Sequence, residues 1–486
     1  MFLEDRMASV VGAGLSEGML AQGVNEELAG PARVELNPLR PVGRAERISS
    51  MDVLRGFSLM GILIMNITDF AYGYTNYLYP LSTVKPVFHG PHWKVNTAAW
   101  FLRWMLAEGK MRALFSMLFG AGVILLTERA LARGAGIRAA DIFTRRNMWL
   151  VLFGMLHGYL IWSGDILFYY GLAALLFLFP FRNVRVRRLM WVAGILLLIN
   201  SVLIFAAQYG GAYGAKKAAE KANAKLAQHK TLTDDEVAAL KKWTNVQERW
   251  RMSDKKKYED IAAMQKGYLK VLGHEAPDVL TGELKGAYFG FGDWVGMMLL
   301  GMALYKNGFL AGRLSMKTYA WTAVIGLALA WGVTGLGAYK AWAGHFDMFK
   351  TLLWMQAPYD VGRIAGALGN AALILVLLKA GVGKWLLARV AAVGQMALSN
   401  YLLTSITMMT IYVWGPWHWY GYVEYYKIYY AVAGMWIFNM TFSTIWLRYF
   451  EFGPVEWAWR SLTYWKRQPM RIRAAMPVPA VADVAL

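Results

Sequence analysis

The chain has 486 residues, 57% of them hydrophobic, 15% aromatic and 17% charged, with a formal net charge of +20 and no cysteine. So apolar a composition excludes a set of ordinary soluble domains and points to an integral membrane protein. The missing cysteine excludes disulfides, thiolate chemistry and cysteine-ligated metal. The positive charge comes without a compact basic motif interleaved with aromatics, so no nucleic-acid partner is expected and the charge reads as topological. The 22 Trp and 26 Tyr suit interfacial belts, and the 48 Gly suit close helix contacts.

In chain order, residues 1–46 lack a basic stretch followed by a clean apolar core, so no cleavable signal peptide is expected and the segment reads as a disordered cytoplasmic tail. A hydrocarbon core of about 30 Å takes roughly 20 apolar residues per helix. Windows of that size give ten spans: 51–72, 110–130, 147–163, 166–181, 189–209, 286–305, 318–338, 360–379, 391–413 and 427–447. Residues 97–109 read as a half-helix leading into the second. Arginines and lysines cluster before span one and after every even-numbered span, from Arg40, Arg44 and Arg47 through Arg145 and Arg146 to Arg467 and Arg471, whereas the opposite short loops offer only Lys85, Lys94, Lys340, Lys350 and Lys427. That asymmetry puts both termini in the cytoplasm. Residues 211–285 are Lys-rich and helix-forming, with "TDDE" (Thr233–Glu236) matching a capping box, and fall outside the cell by span counting. The expected fold is therefore an all-α integral membrane protein of about ten transmembrane helices, both termini cytoplasmic, with a small extracytoplasmic helical insert. Helices one to five occupy 47–210, helices six to ten 286–450, and a cytoplasmic segment 451–486.

Polar groups inside apolar runs carry the functional expectations, because an unpaired charge in hydrocarbon is costly. In "LFGMLHGYLIWSGDILFYYGL" a tight break at Trp162-Ser163-Gly164 would leave Asp165 at the outer surface as an N-cap, with His157 roughly 9 Å deeper, facing the bundle or a cavity. His157 is either a neutral hydrogen-bonded group or a proton acceptor. The loop "PVFHGPHWKVNTAAWF" holds His89 and His92 ahead of a helix capped by Asn96 or Thr97, whose backbone donors would suit an oxyanion. Two histidines without a nearby third ligand do not make a metal site, so no metal is expected. Asp52 and Arg55 share a helix face and can pair. Arg55 with Arg47, Arg145 and Arg146 would suit phosphates. Asn66 and Asp69 continue a polar stripe along the first span, and Asp293 and Asn400 are further cavity candidates. Gly362, Gly366 and Gly369 read as close helix packing. Nucleotide-loop, nucleophile-elbow and zincin motifs are absent from the sequence.

The segments "RISSMDVLRGFSLMGILIMNI", "KMRALFSMLFGAGVILL", "LFGMLHGYLIWSGDILFYYGL", "VGMMLLGMALYKNGFL", "AAVGQMALSNYLL" and "STIWLRYFEFGPVEWAWRSLTYW", in this order, resemble the YeiB-like family of bacterial inner-membrane proteins. That family in turn resembles transmembrane acyltransferases such as heparan-alpha-glucosaminide N-acetyltransferase, through Asp52, Arg55 and Gly56 and through a lumenal histidine before a tryptophan, here His89 or His92 before Trp93. The resemblance implies an inner-membrane enzyme that moves an acyl group from cytoplasmic acyl-CoA to an extracytoplasmic hydroxyl or amine on a small molecule, lipid or sugar. No role for His157 or Asp165 follows from the acetyltransferase; on the chemistry of the residues themselves, His92 or His157 would be the general base and Asp165 its orienting carboxylate. Membrane lipids and a homo-oligomeric partner are further expectations. The alternative is a proton-coupled transporter using His157, Asp69 and Asp293. Both readings expect the buried polar groups, Trp162 included, to converge on one hydrated chamber.

Overall fold

A computed structural model describes residues 49–472 apart from 133, 135 and 137. The expected tail, with Arg47, lies outside the described residues. Among the described residues the protein is helical, apart from an isolated bridge between Phe450 and Arg471. The helices are α1 Ser49–Tyr72, α2 Trp93–Leu106, α3 Lys110–Ala132, α4 Arg138–Leu160, α5 Leu167–Phe181, α6 Val186–Ala227, α7 Asp234–Trp250, α8 Asp254–Met264, α9 Tyr268–Lys306, α10 Met316–Ala343, α11 Met348–Ala380, α12 Lys384–Gln395, α13 Ala397–Trp414, α14 Ile428–Tyr449 and α15 Pro454–Tyr464.

Six of these are long and apolar enough to cross a membrane: α1, α2 with α3, α6, α9, α10 and α11. A seventh is α12 with α13, if that pair, bent by 86°, counts as one. Each of the ten expected spans falls on a helix. However, 147–163, 166–181 and 427–447 fall on α4, α5 and α14, which do not reach that measure. The physical reasons differ: α4 opens with Asp141, Arg145 and Arg146, α5 is short, and α14 is rich in Tyr and Trp.

The half-helix expected over 97–109 starts earlier, at Trp93. Asn96 is not its cap but lies inside it, where its Oδ1 accepts from the Tyr426 N–H at 3.0 Å. The chain kinks between α2 and α3 at Gly109, whose φ of +71° suits glycine. Contact between helices relies on backbone approach, as membrane packing requires. A Cβ on Gly56 of α1 would overlap the Val390 carbonyl of α12, and one on Gly394 would overlap the Asp52 carbonyl. Gly362, Gly366 and Gly369 of α11 face Thr334 of α10, Lys110 and the α10 backbone at Leu327, in keeping with close packing.

The expected helical insert is built from the end of α6, from α7 and α8, and from the start of α9. The capping box forms, with the Glu236 N–H donating to Thr233 Oγ1 at 3.4 Å and the Thr233 N–H to Glu236 Oε2 at 3.0 Å. The insert docks on neighbouring loops through Trp250 Nε1 to the Phe346 carbonyl, 3.0 Å, the Met252 N–H to Ser82 Oγ, 2.7 Å, and the Tyr420 hydroxyl to Asp260 Oδ2, 2.9 Å.

Candidate functional site

Two cavities lie at opposite ends of α1. One, of about 230 Å³, is lined at its mouth by Asp52, Arg55, Arg129, Arg146, Glu456 and Arg460, and more deeply by apolar side chains of α3, α4 and α5. The other, of about 200 Å³, lies under the insert and is lined by Asp69, Asp260 and Glu275 together with Tyr72, Trp162, Tyr268, Trp414 and Tyr420. Asp52 and Asp69 are 17 residues apart on α1, which at 1.5 Å per residue separates the two by about 26 Å. The arginine cavity has an excess of cations, whereas no Lys or Arg lines the capped one.

The histidine and aspartate that stood out in the sequence meet between them. His157 and Asp165 are 1% and 2% exposed, and His157 Nδ1 lies 2.8 Å from Asp165 Oδ1. Asp165 Oδ2 accepts the Phe168 N–H at 2.7 Å. Asp165 is thus not the N-cap, which is Ile166, but from one residue earlier it takes a free N–H at the start of α5, and it is buried within the bundle rather than at the outer surface. Gly154 and Gly158 make the seat: a Cβ on Gly154 would lie 2.7 Å from Asp165 Oδ2, and one on Gly158 would lie 2.9 Å from Oε1 of the buried Glu283. A carboxylate only accepts, so Nδ1 carries a proton, and in the neutral ring Nε2 keeps its lone pair. Nε2 has no hydrogen-bond partner among the described residues.

The pair lines neither cavity itself, and its neighbours form a wall between the two. Gly158 and Trp162, beside His157, line the capped cavity, while Ile166, next to Asp165, and Tyr401, whose ring centroid is 4.9 Å from that of His157, line the arginine cavity. Trp162 donates through Nε1 to Asp69 Oδ2 at 3.0 Å and packs on Phe70. In place of the one shared chamber expected from the sequence, the candidates that reach a cavity are divided between two, and the others line neither.

The remaining candidates separate into those at this axis and those elsewhere. Arg55 donates to Asp52 at 3.1 Å, and Arg146 stacks on Trp459, 3.7 Å from its ring centre, so both sit at the arginine mouth. Arg145 instead pairs with Asp141 at 2.6 Å on the exposed face of α4 and lines neither cavity. His92 is exposed and pairs with Glu424 at 2.9 Å, and His89 is exposed on the same loop. Neither lines a cavity described above. Asn66 is half-buried on α1 and likewise lines neither. Asn400 does not reach a cavity either. Its amide donates to the Val393 carbonyl at 3.2 Å and to Ser443 Oγ at 2.8 Å, fastening the bend between α12 and α13.

Asp293 is no lone polar group in a cavity. It accepts from Arg112 at 2.7 Å and from Arg363, which also pairs with Asp360 at 2.6 Å. Nearby, Arg103 pairs with Glu108 at 2.7 Å and the Lys110 ammonium donates to the Trp104 carbonyl at 2.8 Å. These basic partners of Asp293 and Glu108 were missed in the sequence reading. The signal was there in "RWMLAEGKMR" and "YDVGR", where charges interrupt apolar runs at Arg103, Glu108, Lys110, Arg112, Asp360 and Arg363. Outside the spans, burial pushes the Asp260 carboxyl above its ordinary range, opposed by the Tyr420 hydroxyl bond. Burial beside Asp260 pushes the Tyr420 phenol well up.

Residues 304–466 match the family described as "Protein of unknown function (DUF418)". The chain is 31% identical over 451 residues to the uncharacterized protein YxaH of Bacillus subtilis (strain 168), covering 90% of this chain and 98% of that protein. The chain belongs to the YeiB-like family. The uncharacterized protein YeiB of Escherichia coli (strain K12) is 29% identical over 440 residues, 86% of this chain and 96% of its own. An uncharacterized 39.9 kDa protein of Bacillus acidopullulyticus is 26% identical over 443 residues, 89% and 98% of the two chains. No solved structure matches. Within this YeiB-like chain the 304–466 match takes in Tyr401, Glu456 and Trp459 of the arginine cavity, while His157 and Asp165 precede it.

Proposed function

We propose that the protein is an inner-membrane acyltransferase that takes an acyl group from cytoplasmic acyl-CoA and gives it to a hydroxyl or amine acceptor on the other side. The arginine-rich end faces the cytoplasm, as charge asymmetry favours, and the ten-span topology counts α4, α5, the bent α12–α13 pair and α14 as crossings. The observation that carries the reading is the wall: two cavities of opposite electrostatic character are separated by one buried His–Asp pair and its immediate neighbours. Donor phosphates dock on Arg55, Arg129, Arg146 and Arg460, and the pantetheine arm follows the cavity past Asn147 and Gln395 to Tyr401. The acceptor comes from the capped cavity. His157 Nε2 takes its proton, the acceptor oxygen or nitrogen bonds to the thioester carbonyl carbon, and the C–S bond breaks. The proton then passes from Nε2 to the departing CoA thiolate, with Asp165 holding the tautomer. His92 has a similar carboxylate partner but is exposed, whereas His157 is buried with neighbours that line both cavities, and for that reason the base is assigned to His157.

The test uses the purified full chain in lipid vesicles, supplied with acetyl-CoA and an envelope extract as acceptor. Release of free CoA is expected, and it should disappear in His157→Ala but persist in His92→Ala. The rival transporter reading rests on the same arrangement, since two cavities parted by a titratable plug also suit alternating access. Uptake of extract components into vesicles without CoA release would overturn the enzyme reading in its favour.

A further inference from the structure

The lining of the arginine cavity is not uniform. Asn147, Gln395 and Tyr401 offer hydrogen-bonding groups, set among apolar residues such as Phe143, Leu150 and Leu398. The α3 side, with Phe115, Leu118, Phe119, Gly122, Val123 and Leu126, is all hydrocarbon or bare backbone up to Arg129. From Phe115 to Arg129 this side runs 14 residues, about 21 Å of helix. Gly122 sits near its middle, and nothing lies within 4 Å of where its Cβ would be. Elsewhere on α3 the next glycine, Gly120, is required for packing, because a Cβ there would overlap the Met298 carbonyl of α9. No such demand falls on Gly122, whose missing side chain keeps the groove open.

We infer that the transferred acyl group is a long hydrocarbon chain, which turns back from the thioester along the apolar α3 wall and crosses Gly122. This rests on the acyltransferase reading and names its donor class. An acetyl group would leave the α3 wall without a hydrocarbon partner, whereas each further methylene buried against it adds favourable apolar contact. The cationic mouth complements the donor's phosphates, and the apolar wall complements its tail. Gly122 is then a specificity-determining residue, because a larger side chain would occupy the path of the chain.

The test measures the binding of acetyl-CoA and of octanoyl-CoA to the full chain in lipid nanodiscs, for the wild type and for Gly122→Leu, with Gly122→Ala as a milder step. Octanoyl-CoA is expected to bind the wild type at least tenfold more tightly than acetyl-CoA. In Gly122→Leu the ratio should collapse to within about twofold of unity, with Gly122→Ala between the two. Melting temperatures confirm that each variant is folded, as the open space around Gly122 leads one to expect. Equal binding of the two acyl-CoAs to the wild type, or an octanoyl preference that survives Gly122→Leu, overturns the chain assignment while leaving acyl transfer standing. If neither acyl-CoA binds, the assignment and the reading beneath it both fall.

Discussion

Replacing Asp165 by Asn is the sharpest test of the His157 site, because it preserves shape and changes only which atoms donate. In the native pair the carboxylate accepts twice, from His157 Nδ1 at 2.8 Å and from the Phe168 N–H at 2.7 Å. An asparagine has one acceptor oxygen for those two donors. The Phe168 N–H cannot give up its hydrogen, so the amide oxygen turns to it and the amide NH₂ faces Nδ1. Nδ1 must then accept, which moves the ring proton to Nε2 and removes the lone pair assigned to the acceptor. Two charge-assisted bonds become neutral ones, each weaker by about 1 kcal/mol, so Asp165→Asn should cost about 2 kcal/mol of stability. Asp165→Ala strands both buried partners and should cost about 2–6 kcal/mol, at about 1–3 kcal/mol for each group left unsatisfied. The assay is ¹⁵N NMR of histidine-labelled protein, with the His157 signals assigned among the seven histidines by their loss in His157→Phe. The wild type should show the Nδ1–H tautomer and Asp165→Asn the Nε2–H tautomer, with CoA release falling by a factor of about 10² or more. An unchanged tautomer in Asp165→Asn refutes the argument, whatever happens to activity.

Three other outcomes follow from the geometry. Gly56→Ala and Gly394→Ala each drive a methyl into the backbone of the facing helix, and overpacking of about 1–3 kcal/mol should lower the melting temperature of both in thermal size-exclusion assays. A melting temperature equal to wild type would show that α1 and α12 pack less closely than described. Asp293→Asn leaves the Arg112 and Arg363 guanidinia without their shared anion, a loss of about 3–5 kcal/mol for a buried pair, which should show as low folded yield in detergent. The Asp260 carboxyl is raised from its ordinary value of 3.8 by burial. Its contribution to docking of α8 is therefore fully present below that value and is lost as pH rises through the raised one. Amide exchange in α8 should accelerate with pH across that window beyond the intrinsic rate, and Asp260→Asn, which still accepts from Tyr420, should abolish the excess.

The legible part of the fold was set by local physics. The apolar runs mark the helices because hydrocarbon admits little else, and Thr233 and Glu236 announce a cap because their spacing alone closes the box. His157 and Asp165 stood out as misplaced polarity, and eight residues of separation across a turn was enough for them to meet. What stayed hidden depends on contacts distant in sequence. Asp293 looked solitary because Arg112 and Arg363 lie 181 and 70 residues away. Asn400 looked functional because Ser443, its partner, lies on another helix. Arg145 and Arg146 are neighbours in sequence, yet a helix turns successive residues by about 100°, and only Arg146 faces the cavity.

The same division says which part of the protein can move. Around the wall, α1 meets α12 and α3 meets α9 through bare backbone, and Asp293 ties α3, α9 and α11 together with two guanidinia. In a solvent of lipid chains, where burying more hydrocarbon brings helices little advantage, such contacts supply the rigidity. The insert, by contrast, rests on the loops through hydrogen bonds such as those of Met252, Asp260 and Gln265, and α8 adds one buried side chain, Ile261. Segments held by few buried contacts open first. On the acyl-transfer proposal, the acceptor would be admitted by local opening of α8 over the capped cavity.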